Sequence, residues 1–512
     1  MSFYITCAID YPNSRPHIGT AYEKIAADTI ARYKRLVGED VFFLMGLDEH
    51  SQNVYKRAEE QGLEPIAFTD QMEEVFRAAW AAVNVEFDDF IRTTDPLHQA
   101  AVKAMVHRAE ATGDLYEGVY EGFYCVSCEA YYGDRDLVDG VCPVHETKPE
   151  FRKEANVFFR LSAYQDRLKA HYEEHPEFVQ PDYRRNELLS LLDKGLEDIS
   201  ISRVSAGWGI PMPGHDGQAV YVWFDALTAY LAATGFPEET ATYKKFWPAD
   251  VHLVGKDITR FHAIIWPAML MSAGLPLPKT VYGHGWVLTG GGRMSKSMGN
   301  VMNPVDTAEN FGADAFRYFL LREVPFGRDL EFDHERFVTR YNADLANDLG
   351  NLLQRTIGMA MKYQNGLLGG PGEGDITGLS IAVKEEARTY CGAMDVYELQ
   401  AGLKAVWSLV RAGNLAVDTH APWELAKHPD KAGELDTVLS QLAVLLHQIA
   451  ILVHPFMPER SVAIAKALGQ DPDPGAWRLD DLHDPALAPR KVQEPEPLFP
   501  RLDLEEVIGR PA

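Results

Sequence analysis

The first fifty residues do most to restrict the fold. Phe3 to Ile9, "FYITCAI", is rich in β-formers. From Thr20 to Leu36 apolar residues recur at helical spacing through Ile25, Ile30, Tyr33 and Leu36, and Asp40 to Gly46, "DVFFLMG", reads as another buried strand. Strand, helix and strand at this spacing make a βαβ unit, which needs a parallel sheet and a right-handed crossover. The connecting turn, "SRPHIGTAYEKI" from Ser14 to Ile25, then lies at the carboxyl edge of a strand, where such sheets bind ligands. Glycine and backbone N–H groups are the usual phosphate ligands there, so His17 offers a contact that the backbone alone does not.

A second α/β region is expected at Ala219 to Trp223, Val251 to Gly255 and Val281 to Leu288. Between the halves, about Gly113 to Gly217, the chain changes character, with aromatic β-like pieces and charged helices that read as an insert dividing one sheet. After Phe311 the pattern is helical, with amphipathic stretches over Asn342 to Tyr363 and Glu434 to Val453 and a glycine-rich loop from Asn365 to Gly378. The 512 residues, 46% hydrophobic and 24% charged, suit several globular domains. A net charge of −26 argues against indiscriminate nucleic-acid binding, leaving room for a local basic site. With no run of about 18 apolar residues and no signal-like N-terminus, the expected compartment is the cytoplasm, with no membrane partner.

Three of the five cysteines fall together with a histidine. Cys125-x2-Cys128, thirteen residues, then Cys142-x2-His145 offers three thiolates and an imidazole, a closed tetrahedral set for one structural Zn2+. Cys7 and Cys391 stand apart, so no disulfide framework is expected.

Other motifs admit two readings on their residues alone. "GGGRMSKSMGN", Gly290 to Asn300, sets two cations and two hydroxyls on a glycine-preceded loop that suits a polyphosphate, although such turns are commonly plain solvated surface. "YVWFDALTAY" places Trp223, Ala226, Leu227 and Tyr230 on one helical face, and "KDITRFHAIIW" stacks Ile258, His262 and Trp266. Both stripes could be ordinary core; as pocket walls they would suit an apolar, polarizable thioether. Asn351 and Arg355 lie one turn apart, and Trp423 follows a proline, an aromatic, amide and guanidinium set of the kind that reads unpaired RNA bases, or a tryptophan packed into a helical core.

Taken in order, "TCAIDYPNSRPHIGTAY", "GLDEHS", "YCVSC" with "CPVH", "YVWFDAL", "VGKDITRFHAIIWPAML", "GHGWV" and "RMSKSMGN" resemble the methionyl-tRNA synthetases of class I from end to end. The resemblance implies an α/β fold: a Rossmann-like parallel-sheet catalytic domain (1–112 and 218–300) split by a zinc-binding insert (113–217). A stem-contact region (301–345), an α-helical anticodon-binding bundle (346–490) and a tail (491–512) would follow. It implies activation of methionine with ATP and Mg2+ and transfer to tRNA(Met), including the initiator, with His17, Thr20, Arg293 and Lys296 catalytic. ATP would be bound by His17, Gly19, Thr20, Gly255, Asp257, His284, Gly285, Val287 and Lys296. Methionine would lie against Ile9, Tyr11, Asp48, Trp223, Ala226, Tyr230, Ile258 and His262, with Asp48 on its ammonium group. Asn351, Arg355 and Trp423 would read the CAU anticodon. Lacking an appended OB-type domain, the chain is expected to be a monomer.

Four positions depart from the family pattern: Thr20 replaces the second histidine of the first motif, Arg293 the first lysine of the second, Asp10 stands where proline or tyrosine is usual, and "GLDEHS" replaces "GTDEHG". Thr20 keeps a hydroxyl and Arg293 its charge, so re-tuned activity is expected, and Asp10 is expected to point away from the side-chain pocket. The competing reading is a relative altered to act on another amino acid or to bind tRNA without catalysis.

Overall fold

A computed structural model describes the chain except residues 126–129, 133–136, 144–146, 206, 291, 294–301, 371, 373, 483–489 and 509–512. The βαβ unit is present as β1 (Ser2–Cys7), α1 (Ile18–Leu36) and β2 (Asp40–Leu47), with β3 (Asp89–Arg92) next to β2. The insert contributes β4 (Leu115–Cys125), β5 (Ala130–Tyr132), β6 (Glu150–Phe159), β7 (Val179–Gln180), β8 (Ile199–Ser200) and β9 (Ser202–Val204); β10 (Gln218–Val220), β11 (Val251–Gly255) and β12 (Val281–His284) follow. Six strands form one all-parallel sheet in the order β3-β2-β1-β11-β12-β7. Every residue of β11 and β12 is buried, as helices on both faces of a parallel sheet require.

Three expectations change. The segment 113–217 builds its own antiparallel sheet, β5-β4-β6-β8, yet β7 leaves it to pair with β12, covering an edge that would otherwise offer unpaired backbone groups. Ala219 to Trp223 is not a strand of the main sheet: β10 pairs with β9 on one side and bridges Pro211 on the other, and a helix, Val222–Leu227, begins at once. The strand read through Val281 to Leu288 breaks at Gly285, where a Cβ would come within 2.2 Å of the Arg328 backbone; Val287–Thr289 starts a separate small sheet with Leu330–Phe332.

Helix α1 has almost no solvent face. Its charged residues Glu23, Lys24, Asp28 and Arg32 are buried along with its apolar ones, because the helix lies between the sheet and the later helices. Tyr33 reaches across to Asp395 (3.0 Å), and Asp28 meets Arg317 of the helix Ala313–Arg322. The remaining helices include Asn351–Gln364, Leu379–Asp395, Leu399–His420 and Ala432–Val453. The span Pro429–Val453 is long and apolar enough by composition to cross a membrane, although polar residues such as His447 and Gln448 break its apolar run, and it is buried as the centre of this bundle.

Candidate active site

His17 is the N-cap of α1. Its Nδ1 accepts hydrogen bonds from the N–H groups of Gly19 (3.1 Å) and Thr20 (3.3 Å), while Thr20 Oγ1 accepts from His17 N–H at 3.0 Å and donates to the His17 carbonyl at 2.7 Å. This is a capping box in which a ring replaces the usual short side chain. An accepting Nδ1 places the ring proton on Nε2, the tautomer that can donate to a phosphate oxygen. The amides of Gly19 and Thr20 and the Thr20 hydroxyl, expected to meet phosphates, are engaged with His17 instead. They orient the His17 ring.

Behind this turn lies a buried charged network. Lys24 Nζ meets the Ala8 carbonyl (2.7 Å), Glu23 Oε1 (2.7 Å) and Asp10 Oδ1 (3.2 Å). Glu23 Oε1 also accepts from Ala8 N–H, and Oε2 stands 2.9 Å from His284 Nε2. Burial pushes the Glu23 carboxyl up, but Lys24 and the His284 hydrogen bond outweigh it and hold it at about 2; burial prevails at Asp10, pushed up to about 6. The Asp10 carboxylate is turned onto Lys24 of α1. His284, expected beside the nucleotide, is only 4% exposed, with Nδ1 on the Gly285 carbonyl (2.7 Å).

The two aromatic stripes converge. Tyr230 O–H and His262 Nε2 are 2.8 Å apart, and His262 Nδ1 lies 3.1 Å from the Ile258 carbonyl. A carbonyl can only accept, so Nδ1 carries the hydrogen and Nε2 accepts from Tyr230; burial lowers His262 to about 4, keeping the ring neutral. Trp223 stacks face to face on Phe261 at 3.7 Å, with Ile9 and Ile258 partly buried against the same core that contains Tyr230. Ala226 is buried beside them. The regular i+4 stack expected from Ile258 to Trp266 is interrupted by a π-helical turn, Phe261–Ile265, which re-aims these side chains. The resulting wall is aromatic and uncharged.

Asp48 sits at the end of β2, 2% exposed, its N–H donating to the Asp10 carbonyl (2.8 Å). Near it is a cluster that the motifs did not single out. Asp225 Oδ2 meets His50 Nδ1 at 2.7 Å and Oδ1 meets His98 Nε2 at 2.5 Å. Burial raises the Asp225 carboxyl, but the two histidines more than reverse this and hold it below its ordinary value. "DEHS" and "WFDAL" carry two of the three residues, but nothing local joins them to His98, 127 residues from Asp225. Phe261 was also missed, one residue before the histidine that was named.

At the carboxyl end of β11, Gly255 admits the Asp257 carboxylate so closely that a Cβ would lie 2.7 Å from its Oδ1, and Trp286 Nε1–H donates to that oxygen at 3.3 Å. A cavity of about 310 Å³ opens here between Lys256, Asp257 and Arg260 on one side and Arg184 and Lys194 on the other. A second, also about 310 Å³, lies where the insert meets the body, lined by Lys56, Arg152, Arg203, Tyr124, Trp208 and Tyr221. Val287 is buried in its small strand. Arg293 lies on the short strand Gly292–Arg293, and Lys296 lies outside the described residues. Of the expected zinc ligands, Cys125 and Cys142 are buried together with Leu137 packed on them, whereas Cys128 and His145 lie outside the described residues.

In the helical domain Asn351, Arg355 and Trp423 come together at the surface. Arg355 lies over the Trp423 ring at 5.7 Å and pairs with Asp418 (2.6 Å), while Asn351 reaches Asn414 at 3.5 Å. Trp423 is half-buried, packed against the core of the bundle.

Comparison with known proteins agrees with this architecture. Residues 3–147 and 135–357 match the family model described as tRNA synthetases class I (M), and 369–508 match the anticodon binding domain of methionyl tRNA ligase. The methionine–tRNA ligase of Caldanaerobacter subterraneus subsp. tengcongensis is 45% identical over 515 residues, covering 99% of this chain and 80% of the relative. That of Bacillus subtilis is 43% identical, covering 99% and 79%. Mycobacterium tuberculosis methionyl-tRNA synthetase bound by methionyl-adenylate superposes with a TM-score of 0.93 at 41% identity, covering 98% of this chain and all of that one. Its free form gives 0.87 at 39% identity, covering 98% of each.

Proposed function

The chain belongs to the class I methionine–tRNA ligases, and on that premise we propose how its own residues divide the work. Methionine is held with its ammonium group on Asp48 and its thioether against Ile9, Tyr11, Trp223, Ala226, Tyr230, Ile258 and His262. The neutral Tyr230–His262 pair carries this assignment, because it leaves a wall of rings with no charge and with its hydroxyl proton already engaged. A polarizable, apolar side chain fits such a wall, and a cationic or acidic one would be desolvated there without a partner.

ATP lies across the carboxyl edge of the sheet. His17 Nε2–H donates to a phosphate, supported from behind by the cap with Gly19 and Thr20. Gly255, Asp257, Gly285 and Val287 shape the nucleoside side, with His284 held beneath them. Arg293 and Lys296 approach the departing pyrophosphate. The methionine carboxylate attacks the α-phosphorus, the bond to the β-phosphate oxygen breaks, and pyrophosphate leaves with the negative charge. Mg2+ on the triphosphate would supply further charge neutralisation. A ribose hydroxyl at the tRNA 3′ end then attacks the acyl carbon and releases AMP. The cavity of Lys56, Arg152 and Arg203 with Tyr124, Trp208 and Tyr221 offers cations and stacking surfaces for that unpaired end.

Cys125, Cys128, Cys142 and His145 would hold one Zn2+, a structural cross-link for the insert; the shared burial of Cys125 and Cys142 fits this. Asn351, Arg355 and Trp423 read the CAU anticodon of initiator and elongator tRNA(Met), which places the enzyme with the cytoplasmic translation machinery. ATP–pyrophosphate exchange over all the amino acids, followed by charging of a CAU-anticodon tRNA, tests the whole reading. Exchange supported best by methionine is expected; stronger exchange with another amino acid would favour a relative of altered specificity.

A further inference from the structure

The oddity of Asp10 and the burial of Lys24 answer one another. Lys24 is 1% exposed, yet its ammonium has three acceptors for its three N–H bonds: the Ala8 carbonyl, Glu23 Oε1 and Asp10 Oδ1. These acceptors are not a local set. Ala8 and Asp10 flank Ile9 on the chain leaving β1; Glu23 is on α1 and carries the contact onward to His284 at the end of β12. Asp10 is itself pinned to the end of β2, donating its N–H to the Gly46 carbonyl (3.0 Å) and accepting from Asp48 N–H (2.8 Å). One cation thus ties the segment bearing Ile9 and Tyr11, and through Asp10 the backbone of Asp48, to the helix bearing His17 and the histidine of the nucleotide side.

We propose that Lys24 is a positioning residue for adenylate formation, holding the methionine-binding segment in register with the ATP-binding elements, and that Asp10 is the counter-charge that completes its shell. This rests on the assignment of Asp48, Ile9 and Tyr11 to methionine. The reacting carboxylate and the α-phosphorus are delivered by elements that this network ties together beyond their sheet pairing and helix packing, and a displacement of about 1 Å between them is enough to cost on the order of 10²-fold in rate. Without the ammonium, the Asp10 and Glu23 carboxyls share a dry site that holds a single charge, so Asp10 takes up a proton and the exit of β1 loses its tie to α1. The Asp10 carboxylate is engaged by Lys24, so it acts on alignment.

The test is pyrophosphate exchange with kcat expressed per active site, the sites counted by the burst of ATP consumption. Lys24→Met should lower kcat per site by about 100-fold, with the methionine and ATP KM values changed far less. The double variant Asp10→Asn/Lys24→Met, which replaces the unpaired buried carboxyl by a neutral amide, should recover a substantial part. A merely structural role would lower the number of active sites and the melting temperature and leave kcat per site alone, and that result overturns the proposal. If Lys24→Met does not fold, the near-isosteric Asp10→Asn decides: a several-fold fall in kcat per site supports the proposal, and an unchanged value overturns it. Asp48→Ala separates the two levels. If it leaves the methionine KM unchanged, the pocket assignment fails; if it raises that KM while the Lys24 and Asp10 variants keep full kcat per site, the positioning proposal alone fails.

Discussion

Arg317 Nη2 donates to Asp28 Oδ2 across 2.6 Å, and both side chains are fully excluded from solvent. The same guanidinium donates to the carbonyls of Val83, Asn84, Pro455 and Phe456, so it joins α1, the approach to β3 and the turn between two helices of the anticodon-binding half. Arg317→Met leaves Asp28 with Arg32 and the Glu86 N–H and takes this donor from the carbonyls of Val83, Pro455 and Phe456, while that of Asn84 keeps Arg32. A loss of about 3–5 kcal/mol is expected in urea unfolding. Arg317→Lys should rescue little, because three donors on one point cannot replace a planar fork of five.

Thr20 supports His17, so its substitution should act through the cap. Thr20→Ala is expected to cost about 1 kcal/mol of stability and to lower exchange activity modestly, whereas Thr20→Ser retains both. His17→Ala should lose most of the exchange rate with little change in methionine affinity. Equal kinetic losses in Thr20→Ala and His17→Ala would mean that the hydroxyl itself meets phosphate.

Acid stability should depend on Glu23. Its folded carboxyl titrates at about 2 against an ordinary 4.5, so it binds fewer protons in the folded state than in the unfolded one. The stabilisation is complete above the unfolded value and is lost as pH falls through the folded one, on the order of 3 kcal/mol in all. Thermal unfolding between pH 2 and 6 should show a shallower acid limb in Glu23→Gln than in the unaltered protein. Parallel curves would exclude this carboxylate as a source of acid sensitivity.

Removing Trp423 or Arg355 should weaken tRNA use while sparing amino-acid activation. Stacking of one base is worth about 1–3 kcal/mol, so Trp423→Ala should raise the KM for tRNA by roughly ten- to a hundredfold. Pyrophosphate exchange without tRNA should stay near the unaltered rate. A tRNA with a changed anticodon should discriminate less between the variant and the unaltered enzyme; full discrimination would place the tryptophan's contribution in the core.

Much of the architecture could be read along the chain because it depends on short-range periodicity. The first βαβ unit shows this, as does the helix over Glu434 to Val453. Boundaries failed where a distant segment intervened: the strand at Val281 ends where the Arg328 backbone crosses Gly285, and the Ile258 stripe is re-aimed by a π turn. Tyr230 and His262 could be named individually from their helical spacing. Their shared proton, and the pairing of Trp223 with Phe261, needed two helices to be set side by side.

Local order along the chain was enough to specify a parallel sheet and the strand-to-helix turn at its carboxyl edge; the cap of α1, which the sequence reading did not draw, is also local, because His17 and Thr20 are three residues apart and backbone geometry brings them together. Tertiary structure alone decided which charges may be buried. Arg317 and Asp28 are 289 residues apart, and Glu23 and His284 261. A sequence marks Asp10, Lys24 and Asp28 as polar and assigns them to water; only the packing of the sheet and the C-terminal helices around α1 removes that water and supplies a partner for each. That exchange turns an unusual aspartate into part of the support for an active site.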